Sequence, residues 1–377
     1  MNRDIAVVDH TRNLTADILK GFLITCVLFG HSLSMVNQIR GVAWTDSWIN
    51  VFLTSFEMQL FSIISGYFMA KTLKKHGTLR ASLSKVRLIF PIFFLVDLPT
   101  AIIAIIQRNF SVIGGIPGLF VEGDKLWYLS AYILNFLLLC LVDKIVEKRG
   151  RCNRYLLCGV LFLTIAVVSH ILPTDRLNLA KCMSVYFSLG YFMEKCEVGP
   201  VFFRLHEKFR CGLLAMSAVA YFVVLFFYKA QYSFYLFGAS IYGKDIVSAI
   251  TIYLMRFFCA ILGSFLIVTV FKLLSDHRVG LVYGTFLGRI SLDVYIISMF
   301  VQEALFYLFK LVFTDHGALL NDWSVTVSVG PLFFIMLITA TVVLSKLINK
   351  IPLLAFCLLG KPYKRNDRRN SSEGKTM

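Results

Sequence analysis

A succession of long apolar runs, separated by short polar connections, leaves few folds open to this chain. The runs fall at about 15–37, 48–70, 86–106, 126–142, 155–173, 177–193, 211–229, 246–271, 289–313 and 324–348. Most approach the ~20 residues a helix needs to cross a bilayer, where backbone polar groups must be satisfied within the segment. Charged residues make up 16% of the chain, against about 25% in a typical soluble domain. The pattern predicts an all-α polytopic membrane protein with about ten transmembrane helices. Its membrane domain spans 15–348, between a cytoplasmic segment 1–14 and a basic cytoplasmic tail 349–377 whose polar end, from Lys361, reads as disordered. The opening segment contains Asp4 and Asp9 without a cleavage-site pattern, so the first run is expected to remain as a permanent span. The run at 177–193 is the weakest, being short and carrying Lys181. Glycine recurs at Gly280, Gly284 and Gly288, a spacing that permits close helix packing or a short interfacial helix.

The basic residues orient the runs. With both termini cytoplasmic, most of the 38 Lys and Arg fall on the inner side, with dense groups from Lys71 to Arg87 and from Lys144 to Arg154. Deleting the weak run would carry the basic tail to the wrong side, so the same rule supports that run as a span. The net charge of +16 is therefore chiefly a topogenic signal, and no basic soluble module offers itself to nucleic acid. Nine cysteines, an odd number and none in an expected outer loop, argue against a disulfide framework. No cysteine or histidine cluster has metal-ligand spacing, so no metal and no bound cofactor are expected. The sequence carries no indication of oligomeric state.

Three ionisable residues lie within the first run: Asp17, Lys20 and His31. Such groups are costly in hydrocarbon and usually face a bundle interior or a water-filled path. The step from Lys20 to His31 closes to about 20° around a helix, and that from Asp17 to His31 to about 40°. All three share one stripe. Asp17 and Lys20 are also spaced as a plain helix ion pair.

Further motifs follow in order. Asp17, Lys20 and Gly21 open the first run, and Gly30, His31 and Ser32 come near its end. Ser65, Gly66 and Tyr67 close the second run, Arg87 and Pro91 enter the third, and Leu126-Trp127-Tyr128-Leu129 opens the fourth. Gly288 and Arg289, then Ser291, Leu292 and Tyr295, open the ninth. This ordered set resembles the membrane-bound acyltransferase 3 family, the bacterial O-acetyltransferases of surface and capsular polysaccharides. The resemblance implies ten spans in the bacterial cytoplasmic membrane, acetyl-CoA (an acyl-CoA) as donor substrate, and a glycan or lipid-linked saccharide as acceptor. Two positions depart from the family pattern. Glu57 stands where the second run often has a histidine, and Ser298 stands where a histidine commonly follows the ninth-run tyrosine.

Depth arithmetic adds a pairing that the family pattern does not supply. His31 lies about 24 Å from the inner end of the first run at 1.5 Å per residue, and Glu57 lies about nine residues from the outer end of the second. If the two runs are neighbours, a carboxylate stands beside an imidazole, an arrangement suited to removing a proton from a sugar hydroxyl. His31 is expected as the general base and Glu57 as its orienting partner; an acyl-histidine intermediate remains open, as does a structural role for Glu57. Candidate substrate- or acyl-CoA-binding residues are Asp17, Lys20, Arg87, Trp127, Arg256 and Arg289. Arg256 near the middle of the eighth run suits a phosphate or carboxylate. Topogenic anchoring accounts equally for Arg87 and Arg289, and an interfacial aromatic belt for Trp127. The competing class is a transporter or exporter of saccharide or lipid-linked saccharide.

Overall fold

Asn13 starts the first helix. Its side-chain oxygen accepts from the Ala16 backbone N–H at 3.1 Å, capping α1 (Leu14–Ile39), and Asp17 occupies the first turn, where the helix dipole favours an acid. The structure, a computed structural model, describes residues 13–43, 47–99, 102, 126–147, 151–171, 178–198, 207–229, 232–233, 245–276, 281–313 and 325–362. The opening segment to residue 12, the third run beyond residue 99 apart from Ile102, Gly280, the 314–323 loop and the tail beyond Pro362 lie outside the described residues.

The second run is a broken span. α2 (Trp48–Thr54) and α3 (Glu57–His76) are separated by Ser55 and Phe56. Hydroxyls next to the break compete for the helix's own carbonyls: Thr54 Oγ1 donates to the Asn50 carbonyl at 2.8 Å and Ser55 Oγ to that of Phe52 at 2.7 Å. The backbone N–H groups of Ser55 and Phe56 fall back on carbonyls three residues earlier, at 3.2 and 3.4 Å, before regular bonding resumes at Leu60. The break leaves Glu57 on the first turn of a new helix inside the span.

The chain continues through α4 (Thr78–Val86), α5 (Ile89–Ile92) and a π-helical turn, Phe93–Asp97. Then come α6 (Trp127–Val146), α7 (Arg151–Ile171), α8 (Asn178–Lys195), α9 (Glu207–Phe227) and α10 (Ile246–Asp276). α11 (Leu281–Arg289), α12 (Ser291–Phe313), α13 (Gly330–Lys350) and α14 (Pro352–Leu359) complete the described fold. Among the described residues every regular element is helical. Among the described residues six stretches are long and apolar enough to cross a membrane: Leu14–Ile39, Trp48–His76, Trp127–Val146, Val247–Lys272, Ser291–Leu311 and Val327–Lys350. Tyr155–Val168 and Cys211–Phe227 are shorter apolar helices.

α8, the weak run, is an inner helix. Its Met183, Phe187 and Tyr191 are fully buried, and its basic end is tied to α6, where Asp143 accepts from Tyr191 at 2.5 Å and from Lys195 at 2.6 Å. Shielded by protein, it does not need the hydropathy of a lipid-facing span. It meets α3 backbone to backbone, because Gly66 lies against the Phe187 carbonyl and Gly190 against that of Ile63. The glycine repeat behaves as its spacing predicts: α11 is short and lies on α1, with Gly284 against Gly21 and Gly288 against the Asp17 carbonyl. Of the stretch from Lys361 read as disordered, only Lys361 and Pro362 are among the described residues. α14 folds back, ends at Gly360 in the left-handed conformation (φ +61°), and Lys361 is held by an ion pair.

Candidate functional site

α1, α3, α4, α6, the start of α12 and the segment after α14 enclose a cavity of about 420 Å³. On α1 its wall is Lys20, Ile24 and Val27, which are steps of four and three residues along one helical face. His31 continues this face one turn beyond Val27. Of the three residues on the stripe inferred from spacing, Lys20 lines this space, and Asp17 and His31 do not.

The cavity has a cationic part and an aromatic part. Lys20, Lys85, Arg87 and Lys361 all line it. The Lys20 ammonium lies 4.6 Å from the Phe68 ring centroid and 4.0 Å from Asp17 Oδ1, and that of Lys85 lies 5.4 Å from the Tyr132 ring. Among the described residues the buried Arg87 Nε has no hydrogen-bond partner, and a guanidinium donor of this kind suits an anion. Deeper in, Tyr128 OH and Ser65 Oγ share a hydrogen bond at 2.9 Å, and the Tyr128 backbone N–H donates to Tyr295 OH at 3.2 Å. The family-like motifs on three separate helices thus converge on one hydroxyl-rich wall.

His31 is half-buried and makes no hydrogen bond or ion pair among the described residues. Glu57 is 3% exposed, and its Oε2 has no hydrogen-bond partner. No hydrogen bond or ion pair joins the two. In the hairpin register Gly30 faces Leu53, and Glu57 lies within electrostatic reach of Cys26. His31 stands five residues, roughly 7.5 Å, along α1 from Cys26. Neither Glu57 nor His31 lines the cavity: Glu57 precedes its lining residue Met58, and His31 lies one turn past Val27. The positive end of the α3 dipole lies at the Glu57 carboxylate.

The remaining candidates separate. Lys20 and Arg87 line the cavity. Asp17 is buried beside it, its backbone pressed on Gly288. Trp127 packs in the apolar core, edge-on to Tyr128, and the adjacent Tyr128 takes the lining position assigned to it. Arg289 is exposed at the end of α11 and does not line the cavity. Arg256 is buried elsewhere and donates to the carbonyls of Tyr232 (2.5 Å) and Ser233 (2.8 Å), so it ties a loop to α10. Ser298, one of the two departures from the family pattern, donates to the Tyr295 carbonyl at 3.0 Å. Sequence reasoning missed Lys85, Asp293 and Lys361 as cavity residues; the first two adjoin the motifs at Arg87 and Ser291–Tyr295, and Lys361 carried no local signal. Among the described residues no group of His, Cys, Asp and Glu forms a metal site.

A family model described as an acyltransferase domain matches residues 13–350. Nodulation protein NolL of Sinorhizobium fredii (strain NBRC 101917 / NGR234) is 27% identical over 191 residues, which are 48% of this chain and 49% of that protein. The chain therefore spans about half the length of the curated relative it matches. No solved structure matches it.

Proposed function

This chain belongs to the acyltransferase 3 family, and from that premise we propose that it is an integral-membrane O-acyltransferase moving an acyl group, acetyl first among candidates, from acyl-CoA to a hydroxyl of a cell-surface or lipid-linked glycan. The observation that carries this reading is the cavity, which is lined by Lys20, Lys85, Arg87 and Lys361 and by the hydroxyls of Ser65, Tyr128 and Tyr295, and whose α1 face His31 continues. Ten spans with both termini in the cytoplasm of a bacterium set the cationic wall on the side where acyl-CoA is available. Lys20, Lys85 and Arg87 suit the phosphates of such a donor, whose thioester arm would pass Tyr128 and Ser65 toward His31, about 16 Å along α1 from Lys20. The glycan hydroxyl approaches His31 from the opposite end.

His31 acts as general base. Its imidazole takes the hydroxyl proton as the sugar oxygen attacks the thioester carbonyl; the carbon–sulfur bond then breaks, and the imidazolium returns the proton to the departing thiolate. Glu57 is a positioning residue, acting on the imidazolium through the substrate atoms between them rather than by direct contact. Transfer of label from acetyl-CoA to saccharide in membranes carrying the chain tests the reading. Saccharide uptake into vesicles without any transfer would instead establish the transporter class.

Glu57→Gln keeps the shape of the side chain and removes the charge that steadies the imidazolium. Activity should fall at least about tenfold, or roughly 1.4 kcal/mol, with little change in apparent affinity for acyl-CoA. In a His31→Ala background the same change should add nothing, since residues acting as one unit are not additive. An unchanged rate in Glu57→Gln would leave Glu57 with a packing role only. Topology has its own check. On a background lacking the native cysteines, single cysteines in the 38–47 and 314–323 loops should react with an impermeant thiol reagent from outside, and those at 71–85 should not. The opposite labelling would reverse the cavity and place the donor at its wrong end.

A further inference from the structure

The family match ends at residue 350, yet the cavity does not. Leu359, Gly360, Lys361 and Pro362 form part of its wall, next to Arg87 and Leu88. α14 is set under the bundle by Gly360, whose left-handed backbone lies against Leu88 and the Arg87 carbonyl. Lys361 is then fixed from two helices: its ammonium donates to Asp293 Oδ2 at 2.5 Å and to Asn349 Oδ1 at 2.6 Å. Asp293, itself buried, also accepts from Asn349 Nδ2 at 3.0 Å and from Ser345 Oγ at 3.3 Å. An ammonium has three N–H donors and two are accounted for here, while the side chain keeps 37% of its exposure.

We propose that the segment Pro352–Lys361 completes the donor site and that Lys361, held in place by Asp293, binds a phosphate of the donor's nucleotide end together with Arg87 and Lys85. Four cations line the cavity against one carboxylate, Asp293, which Lys361 already neutralises. The surplus positive charge and the unpartnered Arg87 Nε both call for a polyanion. A lipid phosphate has the same chemistry, but the wall also carries Tyr128 and Ser65, hydroxyls suited to the amide-bearing arm of coenzyme A. The inference rests on the acyl-CoA reading and goes beyond the matched domain.

The test is titration calorimetry on the full chain in zwitterionic nanodiscs, with coenzyme A and, separately, S-acetyl-pantetheine, which has no phosphate. Lys361→Gln should weaken coenzyme A about tenfold, the effect of one charge-assisted hydrogen bond, and leave S-acetyl-pantetheine unchanged. Lys361→Arg should retain most of the affinity. Because Lys361→Gln leaves Asp293 buried beside a neutral partner, the double variant with Asp293→Asn provides a folded, charge-balanced version, and it should show the same selective loss. Unaltered coenzyme A affinity in that double variant overturns the inference alone. Equal weakening of both ligands makes Lys361 structural and also overturns it. A nanodisc containing phosphatidylglycerol whose stabilising effect disappears with Lys361→Gln, with coenzyme A binding intact, assigns the cation to a lipid. Failure of the unaltered protein to bind coenzyme A would overturn the donor reading itself, and this inference with it.

Discussion

Replacing His31 with alanine should abolish acyl transfer while leaving the protein folded and inserted. General base catalysis contributes typically 10²–10⁴ in rate, so the loss should be at least about a hundredfold. The two halves of this expectation have separate physical grounds. His31 lies one turn past the cavity tip on the face that Lys20, Ile24 and Val27 define, where a reacting acyl group would arrive. It makes no hydrogen bond among the described residues and is only half-buried, so its removal orphans no buried partner and costs little stability. A structural histidine would show the reverse, with protein level falling and the specific activity of what survives unchanged. Coenzyme A affinity should be retained in His31→Ala, because the cationic wall is untouched. Acetylation at the ordinary rate by this variant would remove His31 from the mechanism.

How much of this site was legible in the sequence depends on which property carried the signal. The α1 stripe was legible because helical periodicity fixes which residues share a face whatever surrounds the helix. Depth was not. It required the register of α1 against α2 and the place of the break at Ser55 and Phe56, where two hydroxyls bond to their own backbone. A hydropathy window passes over such a break, because the residues on both sides are apolar. Between Trp127 and Tyr128 the choice is a single 100° step around α6, and only the packed neighbours decide which ring meets the cavity. Arg256 illustrates a different limit: its charge marked it as functional, and in the fold its Nε and Nη2 donate to the carbonyls of Tyr232 and Ser233, away from the cavity. Lys361 lay in a stretch whose composition resembles a solvated tail, and its order comes from Asp293, a residue 68 positions away. Long-range pairing leaves no local trace in composition.

The fold itself was more legible, though not uniformly. Apolar runs located the long helices, and the glycine spacing on α11 located its contact with α1. The weakest run proved to be one of the most enclosed helices, for the reason that made it look weak: a helix shielded by protein is free to carry Lys181, Ser184 and Ser188. Its close seat on α3, by contrast, is written in two isolated glycines that no repeat advertises.

That seat yields the largest stability effect expected outside the active site. Gly66→Val should greatly reduce the amount of folded protein. A Cβ at Gly66 would collide with the Phe187 carbonyl, and one at Gly190 with that of Ile63, so two helix backbones are in contact with no flexible side chain between them to yield. Relief requires moving α8 away from α3, which would open the core around Met183 and Phe187 and shift Tyr191 from Asp143. Overpacking alone usually costs about 1–3 kcal/mol, and the displaced helix adds to it; against a total stability of roughly 5–15 kcal/mol that is a large share. Because Ser65 and Tyr67 flank Gly66, any protein that does fold should also bind donor poorly. Gly159→Val on α7 is the matched control: nothing lies within 4 Å of its added Cβ, and its effect should stay within about 0.5 kcal/mol. Thermal melts of the detergent-purified variants, read by size-exclusion chromatography, compare the two. If Gly66→Val melts with the control, α3 and α8 do not touch through their backbones, and the wall formed by Ser65 and Tyr128 is not built as described.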